Sequence, residues 1–173
     1  MSPWIKYIGL WAGGSYLADV LIRPKIVASE ARSYAASRNK PVINVGAGTP
    51  KSSLRAWIFG PTTWGDVNID IEADPHIPPG PNQISWGDAH HLPYRDKTFG
   101  SLIASHVLEH MDDPVRAMRE WVRVADQVYV VVPRWWAAHT WLHPGHLWYI
   151  TPDMIAYPLW KNKNDTVMLL PSR

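Results

Sequence analysis

Three short apolar runs, VINV at 42–45, DVNIDI at 66–71 and GSLIAS at 100–105, constrain this chain most, because a loop rich in special residues follows each one. Gly46 and Gly48 follow the first, an aspartate at 70 sits near the end of the second, and Ser105 and His106 close the third. Apolar runs of this length bounded by turn residues read as buried strands. Helical patterns lie between them. Thr49 and Pro50 supply a hydroxyl cap and a first-turn proline for a helix through LRAWIF to Gly60. Asp112, Asp113 and Pro114 open a second helix, with Val115, Met118, Trp121, Val122 and Ala125 as its apolar stripe and Arg116–Glu120 as a pair on its wet face. A further short strand is expected around Ile84–Trp86, after the proline-rich loop 73–83. VYVVV at 128–132 is continuously apolar and predicts a fifth strand, buried on both faces. Strands alternating with helices predict an α/β fold: a Rossmann-like, doubly wound, mostly parallel sheet with helices on both faces.

The first forty residues read differently. Residues 4–22 are mostly apolar but contain Lys6, Asp19 and Gly13–Gly14, so neither a membrane span nor a signal peptide is cleanly met. Pro24 interrupts the run, and 25–38 reads as an alanine-rich helix. The expected division is a helical segment at 1–40, acting as a cap or an interface, and a nucleoside-binding domain at 41–173. Shallow membrane contact through Trp4, Tyr7 and Trp11 is the second reading of the segment.

With 17 basic and 15 acidic residues, the chain has no basic stripe, so nucleic acid is not expected as a partner. The absence of cysteine excludes disulfides, thiolate metal sites and a cysteine nucleophile, and fits a cytoplasmic protein. Eleven tryptophans against two phenylalanines point to an aromatic-lined pocket or interface, because a buried indole N–H wants a partner.

Ligands of open α/β sheets sit beyond the carboxyl ends of the strands. Gly46 and Gly48, with Ala47 between them, let a ligand approach the backbone. Asp70, 24 positions beyond Gly46, can take two ribose hydroxyls. Asp88 can accept from an exocyclic amine, and the Ala89 N–H can donate to a ring nitrogen. Lys51 stands where a dinucleotide fingerprint needs its third glycine, so a cofactor without pyrophosphate is favoured.

GDAHHLPYRDKTFGSL at 87–102 and HVLEHMDDPVRAMREWVRV at 106–124 decide which nucleoside. Together with the glycine loop they resemble class I S-adenosylmethionine-dependent methyltransferases of the small-molecule type, over roughly 42–133. The resemblance implies S-adenosyl-L-methionine as cofactor. It places Gly46, Ala47 and Gly48 at its methionine end, Asp70 with Ile71 at the ribose, Asp88 and Ala89 at adenine, and Ser105 and His106 beside the sulfonium. Asn44 stands where the family usually carries an acid that orders the glycine loop, and Pro50 replaces a third glycine.

His106 and His110 are the candidate catalytic bases, since imidazole titrates near neutrality. For His110 and its neighbour Glu109, capping the following loop is the competing reading. Trp135, Trp136, His139, His143, His146 and Trp148 form an aromatic cluster, and its HPGHLWYITP stretch resembles the segment bordering the acceptor pocket of quinone-pathway methyltransferases. The competing reading is a loop packed on the N-terminal helix. A metal on His139, His143 and His146 is the weaker reading, since no acid or thiolate lies among them, and no metal is expected. The family fold ends with two further strands. Here 166–171 could supply one and a hairpin would be hard to build, so reduced C-terminal strands are expected, with an exposed edge or the tryptophan-rich surface buried in a homodimer. Transfer of a methyl group to a small-molecule acceptor is the expected function. The alternative is a catalytically inactive cofactor-binding partner or regulatory subunit.

Overall fold

The computed structural model describes residues 3–49, 61–159 and 167–169. Five parallel strands form the main sheet: β1 (Val42–Val45), β2 (Val67–Asp70), β3 (Ser85–Trp86), β4 (Phe99–Ser105) and β5 (Ala125–Val131). Their order is β3-β2-β1-β4-β5, which puts the reversal of winding between β1 and β4. Asn44 lies opposite Asn68 on one side and Ile103 on the other. The glycine loop, Asp70 and the Ser105–His106 corner therefore all emerge at the carboxyl end of the sheet. The helix expected from Thr49 to Gly60 lies outside the described residues apart from Thr49.

Each face of the sheet has its own cover. On one, helix α2 (Arg23–Ser37) lays Ala28, Ala31 and Ala35 against Val42 and Ile103. Small side chains let it approach closely: a Cβ on Gly100 would stand 2.8 Å from the Ala35 Cα, and the Ser101 hydroxyl donates to the Ala31 carbonyl at 2.9 Å. On the other face, α3 (Pro114–Val124) buries Ala117, Met118, Trp121 and Val124 over Ile43, Leu102 and Ala104. Its cap is Asp113, whose carboxylate accepts from the Arg116 N–H at 2.9 Å, and Pro114 sits in the first turn. Helix becomes strand without a connecting residue, Val124 being the last of α3 and Ala125 the first of β5.

Four local expectations are corrected. Pro24 does not interrupt the N-terminal helix: it occupies the first turn of α2, and a π-helical stretch at Leu17–Ile22 joins α2 to α1 (Pro3–Tyr16). Glu120 pairs with Arg123 at 2.7 Å rather than Arg116, because it also accepts the Leu92 N–H at 2.7 Å, and Arg116 turns to His91. Val122, counted in the apolar stripe, is exposed. β5 is an edge strand, so Val128, Tyr129 and Val130 are half-buried rather than enclosed on both faces.

Among the described residues after β5 a hairpin does form, where none was expected to be easy to build. β6 (Trp148–Ile150), β7 (Ile155–Pro158) and β8 (Val167–Met168) make a separate antiparallel sheet. α1 packs against α4 (Ala138–Leu142), inside the aromatic cluster. Leu10, Trp11, Leu17, Ile22 and Ile26 stay exposed along the N-terminal helices. No helix among the described residues is long and apolar enough to cross a membrane.

Candidate active site

The glycine loop is built for close backbone approach. Gly46 and Gly48 hold φ of +68° and +75°, the left-handed region that side chains avoid. The Ala47 N–H donates to the Ile69 carbonyl at 3.0 Å, and the Gly48 N–H donates to Oδ2 of Asp70 at 2.8 Å. The other Asp70 oxygen takes the Glu72 N–H at 3.0 Å. Asp70 thus ties the first strand end to the second, and it is only 6 % exposed. Ile71, next to it, is exposed.

Asn44 is buried beneath this loop. Its amide donates to the Thr62 carbonyl and faces Asn68 Oδ1 at 3.4 Å, while Thr62 in turn donates to the Ala47 carbonyl through both its N–H and its hydroxyl. Its contribution to a ligand would be the shape of the loop, not a direct contact. Asp88 lies after β3. Its carboxylate accepts the His90 N–H at 2.8 Å and faces the His90 and His91 rings at 3.1 and 3.3 Å. Burial alone would raise its pKa, but those bonds outweigh burial and hold the carboxyl below its ordinary value. Ala89 is buried, its carbonyl accepting the Trp121 indole N–H at 3.0 Å.

At the corner after β4 and its last residue Ser105, His106 has a left-handed φ of +56°, rare for a non-glycine residue. Nδ1 is 3.2 Å from Glu109 Oε1, and Nε2 is 3.0 Å from the Asp19 carbonyl. The Asp19 carbonyl only accepts, so Nε2 carries a proton, and Nδ1 faces the buried Glu109 carboxyl. Burial pushes the ring down and the Glu109 carboxyl up. Their mutual bond and charges outweigh it, holding His106 above and Glu109 below the ordinary values.

Asp19 is the residue that sequence reasoning undervalued. Entirely buried, it brings its carboxylate to Arg134 Nε at 3.4 Å and Arg23 Nη1 at 3.6 Å, and accepts the Arg134 N–H at 3.2 Å. The available signal was one carboxylate within an apolar stretch, since a buried charge must be paired. Arg23 and Arg134, together with Trp135, Trp136, Tyr149 and Ile150, border a cavity of about 280 Å³ at the end of β5. The Arg134 guanidinium stands over the Trp136 ring at 5.5 Å.

The expected aromatic cluster is divided. Trp135 and Trp136 border this cavity. Trp148 is buried, donating its indole N–H to the Met111 carbonyl at 2.7 Å. His143 and His146 group with His110, their rings 4.6–5.3 Å apart. His139 lies on α4, its side chain outside the described set.

A family model described as a methyltransferase domain matches residues 69–127, about a third of the chain, from the end of β2 into β5. No curated protein matches. Among solved structures, a SAM-dependent methyltransferase from Thermotoga maritima is 21% identical, with 66% of this chain and 56% of that one covered and a TM-score of 0.34. The YcgJ protein from Bacillus subtilis is 19% identical, over 59% of this chain and 45% of that one, with a TM-score of 0.39. The chain thus spans about half the length of these two structures. The matched segment carries Asp70, Asp88, Ser105 and His106, and over it the chain is similar to a methyltransferase domain.

Proposed function

We propose that the chain moves a methyl group from S-adenosyl-L-methionine to a small-molecule acceptor held in the cavity at the end of β5. The observation that carries the cofactor half is the Asp70 clasp: one carboxylate orders the Gly48 N–H and keeps further acceptor lone pairs at the strand end. The residues fit the group. Gly46, Ala47 and Gly48 would border the methionine end, Asp70 and Ile71 the ribose, Asp88 and Ala89 the adenine, with Ser105 and His106 near the sulfonium. When bound, the cofactor supplies a methyl group already activated as an electrophile. What remains for the protein is to align the acceptor and manage its proton.

The cavity supports a particular kind of acceptor. Arg23 and Arg134 share the single carboxylate of Asp19, which leaves one positive charge in excess beside the Trp136 face. A flat acceptor with an anionic group suits that wall better than a cation. His106, when protonated and paired with Glu109, would stabilise negative charge developing on the acceptor. To take a proton it must first leave one of its two partners.

That same commitment of both ring nitrogens favours the second reading, a binding partner or regulatory subunit that keeps the cofactor without turning it over. Calorimetric titration with S-adenosylmethionine and S-adenosylhomocysteine tests the shared premise. Micromolar binding, weakened at least about tenfold in Asp70→Ala, is expected. Failure of folded protein to bind either compound overturns both readings. Transfer of a labelled methyl group across a panel of aromatic acids then separates enzyme from binder.

A further inference from the structure

The three histidines set apart from the cavity come from separate pieces of backbone. His110 ends the short 3-10 turn Leu108–His110 after β4, His143 follows α4, and His146 precedes β6. Two bonds hold these pieces together: the Leu147 N–H donates to the Glu109 carbonyl at 2.8 Å, and the Trp148 indole N–H to the Met111 carbonyl at 2.7 Å. One nitrogen of each ring then lies within 4.8 Å of the others.

We propose that His110, His143 and His146 bind a divalent transition-metal ion of the zinc class. The orientation of the rings supports this as strongly as their proximity. His110 Nδ1 is 2.8 Å from the Gly145 carbonyl, and His146 Nδ1 is 3.0 Å from the Thr140 carbonyl. A carbonyl only accepts, so both rings carry their proton on Nδ1 and keep the lone pair on Nε2. Histidines that ligate metals are held in this way, by a backbone oxygen behind the ring.

His143 is the ligand that must adjust. Its Nδ1 takes the Gly145 N–H at 3.1 Å, so capture of the ion by Nδ1 releases that bond while Nε2 keeps its proton. Coordination at ~2.0–2.1 Å would also draw the three nitrogens closer than they now stand. Two of the residues, His110 and His143, are exposed, which leaves room for a water ligand and for the ion to enter. Burial, and the neighbouring imidazoles, hold the His143 and His146 pKa values below the ordinary imidazole value. Glu109 acts in the opposite sense, its buried carboxylate favouring positive charge at the cluster.

The donor set decides the class of ion. Three imidazoles with no thiolate and no carboxylate among them suit zinc, cobalt, nickel or copper, whereas magnesium and calcium want oxygen. By position in the sequence, His139 groups with His143 and His146. The fold brings His110 into the group, from 33 positions before His143. The ion would clip the turn after β4 to the loop after β5.

Titration of tag-free, chelator-treated full chain with cobalt(II) tests the site directly, read by visible absorption and by bound metal per chain. One equivalent is expected, displaced by zinc and unaffected by magnesium, with affinity reduced at least about tenfold in His110→Ala and in His143→Ala. Both replaced residues are exposed, and circular dichroism confirms that the variants fold. Absence of binding at micromolar cobalt overturns the proposal. So does binding that both variants retain. Neither readout involves methyl transfer, so the result stands apart from the enzymatic reading.

Discussion

Gly46 takes its left-handed φ one residue after β1, and a Cβ added there would stand 2.2 Å from Cγ2 of Val107. Two independent penalties therefore meet at one position: a backbone conformation that side chains resist, and a collision with the half-buried corner after β4. Gly46→Ala is expected to lower stability by roughly 2–4 kcal/mol. Denaturant unfolding would measure that loss, and calorimetry at low temperature, where the variant stays folded, would show weakened cofactor binding. A variant as stable as the parent would mean that the loop reshapes freely. Val107 separates the glycine loop from the His106 corner, so the same substitution links two halves of the site that lie 60 positions apart in the chain.

Among the elements, α3 is fastened at both ends, by its Asp113 cap and by the cluster around Glu120. Glu120 takes the Leu92 N–H and Arg123, while Arg123 also reaches Asp96 at 2.7 Å and the Tyr94 carbonyl at 2.8 Å. The Arg123 bond, with the Leu92 N–H in support and burial opposing, holds the Glu120 pKa below its ordinary value. A depressed carboxyl contributes stability that is fully present above the unfolded glutamate pKa of about 4.3 and is lost as pH falls through the lower folded value. The stability difference between the parent and Glu120→Gln should therefore be constant near pH 7 and shrink below about pH 4. Equilibrium unfolding at several pH values measures it, and a difference that ignores pH would show the pair to be without effect.

The elements were largely legible. β1, β2, β3 and β4 fall within a residue or so of the expected runs, because short β-branched stretches bounded by turn residues are a local signal. The N-cap of α3 was legible too, since capping is local chemistry. What failed was non-local. That β5 forms an edge depends on where the later chain goes, and the pairing of Glu120 with Arg123 depends on Leu92, 28 positions away. In the candidate site, the left-handed turns at Gly46 and Gly48 and the strand-end place of Asp70 could be read from the sequence. Asp19 and Arg134 could not, because only tertiary packing carries the N-terminal segment to the end of β5.

At the scale of the whole molecule, the outer edge of β5, which pairs with no strand among the described residues, is the feature that asks for cover. Among the described residues, the antiparallel sheet β6–β8 stands apart and no strand adds to that edge. An edge of seven residues left open invites pairing with another chain. A homodimer is the expected state, to be read by light scattering at micromolar concentration; a single monomeric species would count against it.

The junction between α3 and β5 has a consequence for how such a chain can change over time. With no residue to spare between Val124 and Ala125, an inserted amino acid has nowhere to be absorbed. It would swing the helix by about 100° or turn the strand over by about 180°, and in either case bring buried side chains to the surface. Length can drift more freely in the exposed proline-rich stretch between β2 and β3. The α3–β5 junction works as a fixed ruler, and divergence there should proceed by substitution alone.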